Sequence, residues 1–307
     1  MAIFFLYIRV NQNCNARCFM CDYWKNPKME ITHEQFNHSI TNNPHIKMIR
    51  LTGGEPLLHH GIFDFIKTAH EKGIRTSIIT NGYYLSDCLS ELVNCGLDQI
   101  VISIDSCSSV LHDSLRGIPG LFSRINCAID RINNEYPLLR TRVNTVVSEK
   151  NIHDLANLAD WIDSKNIDQW SIIPIKRNCI KQLTHLETKK YADHYKIFQE
   201  RAITSKTQLL GYSNSWTDEV ESFLNGKERI HPKGKCNLTK MVAFYDPFTE
   251  HYFPCNCVPH RSVHFDNYEE EVSWYYNFGH EFCAGCEPIN AWCSDHPEEL
   301  IVDPFYF

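Results

Sequence analysis

Apolar and polar positions change along the first two thirds of the chain in a pattern that predicts strands and helices in turn. Short runs rich in β-branched and aromatic residues predict six strands, at 4–10, 47–52, 75–80, 99–105, 141–147 and 169–175. Between the strands, apolar residues recur at helical spacing and predict six helices, at 32–42, 61–72, 86–95, 121–134, 152–164 and 187–204. Thr32 and Ser86 suit helix N-caps, while Gly73 and Gly96 suit helix C-termini.

Regular alternation of strand and helix predicts an α/β protein built from right-handed βαβ units around a parallel sheet. A barrel with an appendage is the first expectation for this sheet, and a doubly wound sheet is the second. The alternation stops after residue 205. From there, a β-hairpin is predicted at 241–255, with its turn at Asp246-Pro247.

Polar residues and cysteines follow the predicted strands, at the edge where parallel sheets collect functional groups. In chain order they are Cys14, Cys18 and Cys21, the segments TGGEP (52–56) and TNG (80–82), Ser103, Cys107, Asn144 and Cys179. Asn144 lies within the fifth strand, and the others end or follow their strands. Because they gather at one mouth of the sheet, we expect a functional site there.

Composition and charge narrow the class of protein. Of the 307 residues, 43% are hydrophobic and 22% charged, as in ordinary globular proteins. The formal charge is −7 without a basic stretch, which argues against a nucleic-acid partner. No signal peptide and no apolar run of roughly 20 residues is present, so we expect a cytoplasmic protein without a membrane span. In that reducing compartment, the 14 cysteines indicate metal or redox chemistry.

The spacing C-x3-C-x2-C of Cys14, Cys18 and Cys21 is compatible with two kinds of metal site. A zinc ion could be completed by His33 or His38. Alternatively, the three thiolates could hold a [4Fe-4S] cluster that leaves one iron open. The segment GGEP favours the second site, because its glycine pair admits a ligand to the backbone and its carboxylate can receive a cationic amine.

Together, C-x3-C-x2-C after the first strand, GGEP after the second and TNG after the third resemble the radical S-adenosylmethionine superfamily. The resemblance implies a partial (β/α)6 TIM-like barrel over residues 1–205. It also implies that Cys14, Cys18 and Cys21 hold a [4Fe-4S] cluster, whose open iron is chelated by S-adenosylmethionine. Reductive cleavage of that cofactor would give a 5′-deoxyadenosyl radical.

The same resemblance assigns cofactor contacts. Gly53, Gly54 and Glu55 would meet the methionine amine. The methionine, ribose and adenine contacts would come from four residues of later strands, Ser103, Asn144, Ile173 and Ile175. Two arginines, Arg116 and Arg142, are as compatible with solvated surface charges as with carboxylate partners, and neither is assigned a role.

Residues 206–307 resemble the twitch type of auxiliary domain, a shortened form of the SPASM domain. The resemblance implies one auxiliary [4Fe-4S] cluster held by Cys236, Cys255, Cys283 and Cys286, with Cys257 as the main rival ligand. The cysteine arrangement of residues 206–307 is similar to that of the appendage in the aminocyclitol dehydrogenase of butirosin biosynthesis. From spacing alone, a zinc ribbon remains an equal alternative.

These resemblances imply an oxidoreductase that dehydrogenates a small sugar- or cyclitol-like metabolite, with the auxiliary cluster accepting an electron. An external donor such as flavodoxin or ferredoxin would reduce the first cluster. The alternatives are an epimerase, for which Cys107 and Cys179 are candidate hydrogen donors, and a peptide-modifying enzyme. A zinc-binding interaction module is the alternative that is not an enzyme.

Overall fold

A computed structural model gives the fold of the chain and describes residues 5–174, 193–194, 196–201, 204–210 and 242–253. The strands are β1 (Phe5–Asn11), β2 (Met48–Gly53), β3 (Arg75–Thr80), β4 (Gln99–Ser103), β5 (Arg140–Val147), β6 (Gln169–Pro174), β7 (Gln208–Leu210), β8 (Val242–Asp246) and β9 (His251–Phe253). The helices are α1 (His33–Thr41), α2 (Ile62–Glu71), α3 (Leu85–Asn94), α4 (Ser109–Arg116), α5 (Leu121–Glu135) and α6 (Leu155–Ser164). Short 3-10 turns lie at Tyr23–Lys25, Pro56–Leu58 and Ile152–Asp154.

The strand order identifies the sheet as a partial barrel. Within the described residues the order is β7-β6-β5-β4-β3-β2-β1-β8-β9, and β1 to β8 pair in parallel. A doubly wound sheet reverses direction at a switch point, whereas β1 to β7 follow one another without reversal. The predicted partial (β/α) barrel is therefore confirmed, and the doubly wound alternative is wrong.

The two faces of the sheet differ in polarity. On β1, Leu6, Ile8 and Val10 are fully buried in one apolar core that also contains Phe36 of α1 and Phe65 of α2. The opposite face carries polar side chains near the amino ends of the strands. From β1 across to β4, these are Tyr7, Arg50, Ser77 and Gln99. Arg50 donates hydrogen bonds of 2.8–3.1 Å to the other three. This polar layer fills the end of the barrel away from the cysteines, and each nitrogen of the buried Arg50 guanidinium donates a hydrogen bond within it.

Local signals in the sequence locate three helix ends correctly and miss a fourth. Thr32 is the N-cap of α1, as predicted, and it also forms a reciprocal capping box with Gln35. Gly73 and Gly96 follow α2 and α3 with φ of 69° and 91°, which glycine adopts at little cost. Ser86 is not an N-cap: α3 begins one residue earlier, after Tyr84, whose side chain makes no capping bond.

Helix α4 was not predicted. Its sequence, SVLHDSLR, has few apolar residues, and one of them, Val110, is 80% exposed. The helix nevertheless carries strong termini, since Ser108 caps its start and Gly117 ends it with φ of 66°. The C-terminal end of this short helix accepts backbone hydrogen bonds from the cysteine loop.

The predicted hairpin is confirmed as β8 and β9, which pair antiparallel around a turn at Asp246-Pro247. The position of the hairpin was not predicted. In the structure, β8 extends the barrel sheet by pairing in parallel with β1. Residues 193–194 and 196–201, within the last predicted helix, are helical. No helix in the described ranges is long and apolar enough to cross a membrane.

Candidate functional site

The cysteine loop begins where β1 ends and is joined at once to the glycine pair after β2. The amide of Gly54 donates to Asn11 O at 3.0 Å, and the amide of Glu55 donates to Asn13 O at 2.7 Å. In return, Asn11 Nδ2 donates to Glu55 O at 2.8 Å. Asn11 and Glu55 are 44 residues apart in the sequence. These bonds therefore join two distant segments of the mouth into one unit.

Contact with the cysteine loop leaves no room for a side chain at either glycine of the pair. A Cβ on Gly54 would lie 2.2 Å from Asn13 O, and one on Gly53 would lie 2.4 Å from Asn11 O. Gly53 also has φ of 151°, a conformation that side chains disfavour. Any larger residue would push the cysteine loop away from β2.

The Glu55 carboxylate is buried beneath this unit and ties β3 to it. Oε1 accepts bonds from Thr80 Oγ1 at 2.7 Å and Leu57 N at 3.1 Å, and Oε2 accepts one from Asn81 N at 2.7 Å. Burial raises the pKa of Glu55 to about 7, and these three bonds oppose the rise. Two residues of the TNG segment, Thr80 and Asn81, thus bind the Glu55 carboxylate of GGEP.

Asn81 extends this network to the cysteine loop. Its Nδ2 donates to Asn15 Oδ1 at 2.8 Å. The segments predicted from three separate strands, C-x3-C-x2-C, GGEP and TNG, are therefore brought together by direct hydrogen bonds.

The three thiols of the loop are half-buried. Burial raises the pKa of Cys14 to about 11, although the thiol also accepts from the amide of Ala16 at 3.4 Å. Burial also raises the pKa of Cys18, and the positive charge of Arg116 opposes this shift. Thiolate ligation would release these protons.

The described residues do not support the zinc alternative at the cysteine loop. Among them, no group of three or more His, Cys, Asp or Glu side chains is arranged to hold a single metal ion. His33 packs against the rings of Phe36 and Phe65, and His38 bonds to Asn42. Neither histidine that could complete a zinc site is therefore placed with the three cysteines in the described residues.

The sheet face opposite the helices carries the residues assigned to the rest of the cofactor. Ser103 of β4 is the register partner of Asn144 of β5. Ile173 of β6 pairs with Val146, which lies two residues after Asn144 on β5. Ser103, Asn144 and Ile173 are all half-buried. Asn144 Oδ1 accepts from Arg142 Nε at 3.0 Å, and Arg142 is buried rather than solvated. Ile175 lies outside the described residues.

One candidate hydrogen donor falls at the mouth. Cys107 is half-buried, and its Sγ lies 3.6 Å from both carboxylate oxygens of Asp154. Burial, the charge of Asp154 and their hydrogen bond raise the pKa of Cys107 to about 11, so its thiol stays protonated near neutral pH. The other candidate, Cys179, lies outside the described residues, as do Cys236, Cys255, Cys257, Cys283 and Cys286.

Sequence reasoning missed the pair formed by Arg116 and Asp105. Arg116 Nη2 donates to Asp105 Oδ1 at 2.8 Å, and both side chains are buried. The available signal was an arginine directly before the glycine that ends a helix, which places its side chain and carbonyl at the helix terminus.

Comparison with known proteins agrees with this geometry. The profile of the Radical SAM superfamily, in which SAM is S-adenosylmethionine, matches residues 8–162. The chain belongs to the radical SAM superfamily. Membership implies a [4Fe-4S] cluster and SAM as cofactors of this radical SAM protein.

Curated relatives match about half of the chain. The AdoMet-dependent heme synthase of Methanosarcina barkeri is 29% identical over 149 residues, which are 46% of this chain and 42% of the relative. The GTP 3′,8-cyclase of Campylobacter jejuni subsp. doylei is 33% identical over 172 residues, 52% of each chain. This radical SAM protein thus spans about half the length of these relatives.

Solved structures share the fold. SuiB of Streptococcus suis bound to S-adenosylmethionine superposes with a TM-score of 0.67 at 17% identity, covering 90% of this chain and 66% of SuiB. The protein anSMEcpe with bound AdoMet superposes with a TM-score of 0.66 at 15% identity, covering 91% of this chain and 82% of that one. At such low identity these likenesses establish the radical SAM fold and nothing finer.

Proposed function

We propose that Cys14, Cys18 and Cys21 hold three irons of a [4Fe-4S] cluster and that SAM chelates the fourth iron. The observation that carries this proposal is the hydrogen-bonded unit of cysteine loop, GGEP and TNG at the mouth of a radical SAM barrel. When bound, the reduced cluster and SAM supply a 5′-deoxyadenosyl radical that abstracts a hydrogen atom from substrate. The chain positions both groups and excludes water.

Glu55 and the glycine pair would receive the methionine amine. A carboxylate has about four acceptor positions, and three of those on Glu55 are filled by Leu57, Thr80 and Asn81. The remaining position is on Oε2, which accepts only the Asn81 amide in the described residues. A cationic amine there would favour the charged carboxylate, against the burial that raises its pKa.

The inner face of the barrel would hold the remaining parts of SAM. Ser103 and Asn144 are neighbours across two strands and offer a hydroxyl and an amide to the methionine and ribose groups. Ile173, one strand farther, and Ile175 offer apolar surface to adenine. Their spread over β4 to β6 suits an extended cofactor that runs from the cluster across the sheet.

We expect Glu55→Gln to weaken SAM binding by ~1.5–3 kcal/mol, the scale of a hydrogen bond to a charged group. This loss corresponds to a dissociation constant about 10- to 150-fold larger. Equilibrium dialysis of the reconstituted protein measures it. The control is Glu135→Gln, because Glu135 is an acid at the end of α5 that pairs with Arg131. Equal affinity in wild type and Glu55→Gln would remove Glu55 from the amine site.

The reaction we propose is dehydrogenation of a small sugar- or cyclitol-like metabolite in the cytoplasm. The substrate carbinol carbon loses a hydrogen atom to the radical, its hydroxyl loses a proton, and one electron passes to an auxiliary [4Fe-4S] cluster. Cys236, Cys255, Cys283 and Cys286 of the proposed domain 206–307 would hold that cluster, with Cys257 as the rival ligand. A flavodoxin or ferredoxin would supply the electron that cleaves SAM.

Peptide modification is the second candidate. It is favoured by two structural neighbours whose structures contain peptides: SuiB bound to precursor peptide SuiA, and anSMEcpe with the Kp18Cys peptide. Incubation of the reduced protein with metabolite extracts and with peptide libraries, followed by mass spectrometry, distinguishes the two substrate classes. A product lighter by two hydrogens in the metabolite fraction supports dehydrogenation.

If the enzyme is a dehydrogenase, Cys107→Ala and Cys179→Ala each keep most turnover, because no thiol returns hydrogen to the substrate. Cys283→Ala with Cys286→Ala stops product formation but leaves hydrogen abstraction intact, because the electron acceptor is lost. Transfer of deuterium from labelled substrate into 5′-deoxyadenosine measures abstraction separately from product. If a single alanine variant abstracts hydrogen without forming product, and wild-type product takes up solvent deuterium at carbon, an epimerase replaces the dehydrogenase.

A further inference from the structure

The residues around the cysteine loop carry more cations than acids, in a chain whose formal charge is −7. Residues 12–28 contain three cations, Arg17, Lys25 and Lys28, and a single acid, Asp22. All four side chains are exposed, and Asp22 pairs with Lys25. Because the chain as a whole is acidic, a locally positive surface attracts and orients negatively charged partners at this one place.

A cavity lies between these cations and the first cysteine. It has a volume of about 320 Å³, and its lining includes Cys14, Arg17, Trp24 and Lys28 together with four asparagine or glutamine residues. Cys14 is one of the proposed cluster ligands. A partner that covers this cavity therefore lies directly beside the proposed cluster.

Trp24 joins the cations to the cysteine loop. Its indole Nε1 donates to Cys21 O at 2.8 Å, and Arg17 and Lys25 lie over its ring, at 4.9 Å and 5.2 Å from the centroid. Arg17 Nη1 also donates to Cys14 O at 3.2 Å. The positive charges are thus held against the backbone of two proposed ligands, by contacts that exist before a partner arrives.

We propose that this basic surface, formed by Arg17, Trp24, Lys25 and Lys28, is the docking site for a small acidic protein that carries one electron to the cluster. The inference rests on the proposed cluster at the cysteine loop. One electron leaves the reduced carrier and enters the cluster, so the carrier is oxidised and the cluster is reduced. No bond forms or breaks at the surface.

Charge complementarity selects this kind of partner. An acidic carrier is repelled by a chain of charge −7 except where cations collect, so the basic surface directs the carrier to the cysteine loop. Salt screens exposed charges beyond roughly 8 Å at physiological ionic strength, so the attraction weakens as salt is added. Electron-transfer complexes are typically small and weak, which lets the oxidised carrier leave.

Lys25→Glu combined with Lys28→Glu tests the surface, because neither lysine lies between the cysteines. Arg17 stays unchanged, since its guanidinium also supports the backbone of the loop. The matched control is Lys47→Glu/Lys72→Glu, which changes the net charge equally. Both control lysines are exposed at the end of the barrel away from the cysteines, Lys47 just before β2 and Lys72 at the C-cap of α2.

The first readout is binding, measured without SAM and without turnover. Labelled flavodoxin and labelled ferredoxin, both acidic one-electron carriers, are titrated with the reconstituted full chain and followed by fluorescence anisotropy. At low salt we expect the dissociation constant to rise about tenfold in Lys25→Glu/Lys28→Glu, at the lower end of electrostatic effects on association. The control variant should bind as wild type, and added salt should weaken wild-type binding.

The second readout separates docking from chemistry. Formation of 5′-deoxyadenosine driven by dithionite should be equal in wild type and both variants, because a small reductant needs no docking site. Formation driven by a limiting amount of reduced carrier should fall about tenfold in Lys25→Glu/Lys28→Glu alone. Circular dichroism and iron content confirm that the variants are folded and loaded.

Equal carrier affinity in wild type and Lys25→Glu/Lys28→Glu would overturn the proposal, as would wild-type binding that ignores salt or a wild type that binds neither carrier. An equal loss in Lys47→Glu/Lys72→Glu would also overturn it, because net charge would then govern binding. These results leave the proposed function standing while dithionite drives cleavage. A wild type that dithionite cannot activate contradicts the proposed function instead.

Discussion

Replacing Cys14, Cys18 and Cys21 together with alanine is expected to abolish SAM cleavage and to remove about four irons per reconstituted chain. The fold should survive, because these thiols lie on a loop after β1 and are only half-buried. Iron analysis, absorbance near 400 nm and chromatography of 5′-deoxyadenosine measure the three consequences in one preparation.

The matched control replaces the same number of cysteines elsewhere. Cys88 and Cys95 belong to α3 and its C-cap, and Cys127 lies in α5, so none of them is at the mouth of the barrel. Cys88→Ala/Cys95→Ala/Cys127→Ala should retain iron and cleavage. A loop variant that still makes 5′-deoxyadenosine would contradict the barrel site.

Gly54→Ala is expected to have the second largest effect, since it loses both stability and cofactor binding. The new Cβ would lie 2.2 Å from Asn13 O and 2.6 Å from Asn13 C, which are backbone atoms that cannot turn aside. Overpacking of this kind costs about 3 kcal/mol in the free energy of unfolding. It also moves the cysteine loop away from Glu55, so we expect lower iron content. Urea unfolding and iron analysis measure the two effects.

Gly61→Ala is the control for that substitution. Its added Cβ would meet nothing closer than 3.4 Å, at the ring of His59. Gly61 is the half-buried N-cap of α2 and makes no side-chain capping bond, so alanine there should cost about 1 kcal/mol or less. Similar unfolding curves and iron content for the two alanine variants would show that the close contact between GGEP and the cysteine loop is absent.

The barrel could be predicted because each βα unit carries its own local signal. β3 was predicted at its exact bounds and Thr32 marked the start of α1, since period-two and helical spacing are visible within a dozen residues. The position of β8 beside β1 could not be predicted. That pairing joins Phe5 to Val242, and no local pattern encodes a contact over such a separation.

The site divides in the same way. The cysteine spacing and GGEP were visible in the sequence because their chemistry is compact. The bond between Glu55 and the Asn81 amide, and the buried ion pair between Arg116 and Asp105, depend on how neighbouring strands and α4 meet. In the sequence, Arg116 was as compatible with a solvated charge as with a carboxylate partner, and its burial beside Asp105 shows that it has a carboxylate partner.

The auxiliary cluster, the boundary at residue 205 and the roles of Cys107 and Cys179 stay predictions. The described part of residues 206–307 consists of residues 206–210, which include β7, and the hairpin of β8 and β9. It carries none of the proposed ligands, although Cys255 follows β9 closely. Iron content bears on this directly, because two [4Fe-4S] clusters would give about eight irons in the wild type and about four in the loop variant.

The central claim is that three cysteines leave one iron for SAM. Electron-nuclear double resonance of the reduced wild-type protein tests it most directly, with SAM labelled with ¹⁵N in the amine and ¹⁷O in the carboxylate. The account predicts hyperfine coupling of both labels to the cluster, and loss of both couplings in Cys14→Ala/Cys18→Ala/Cys21→Ala. A reduced cluster that binds SAM without coupling to either label would contradict it.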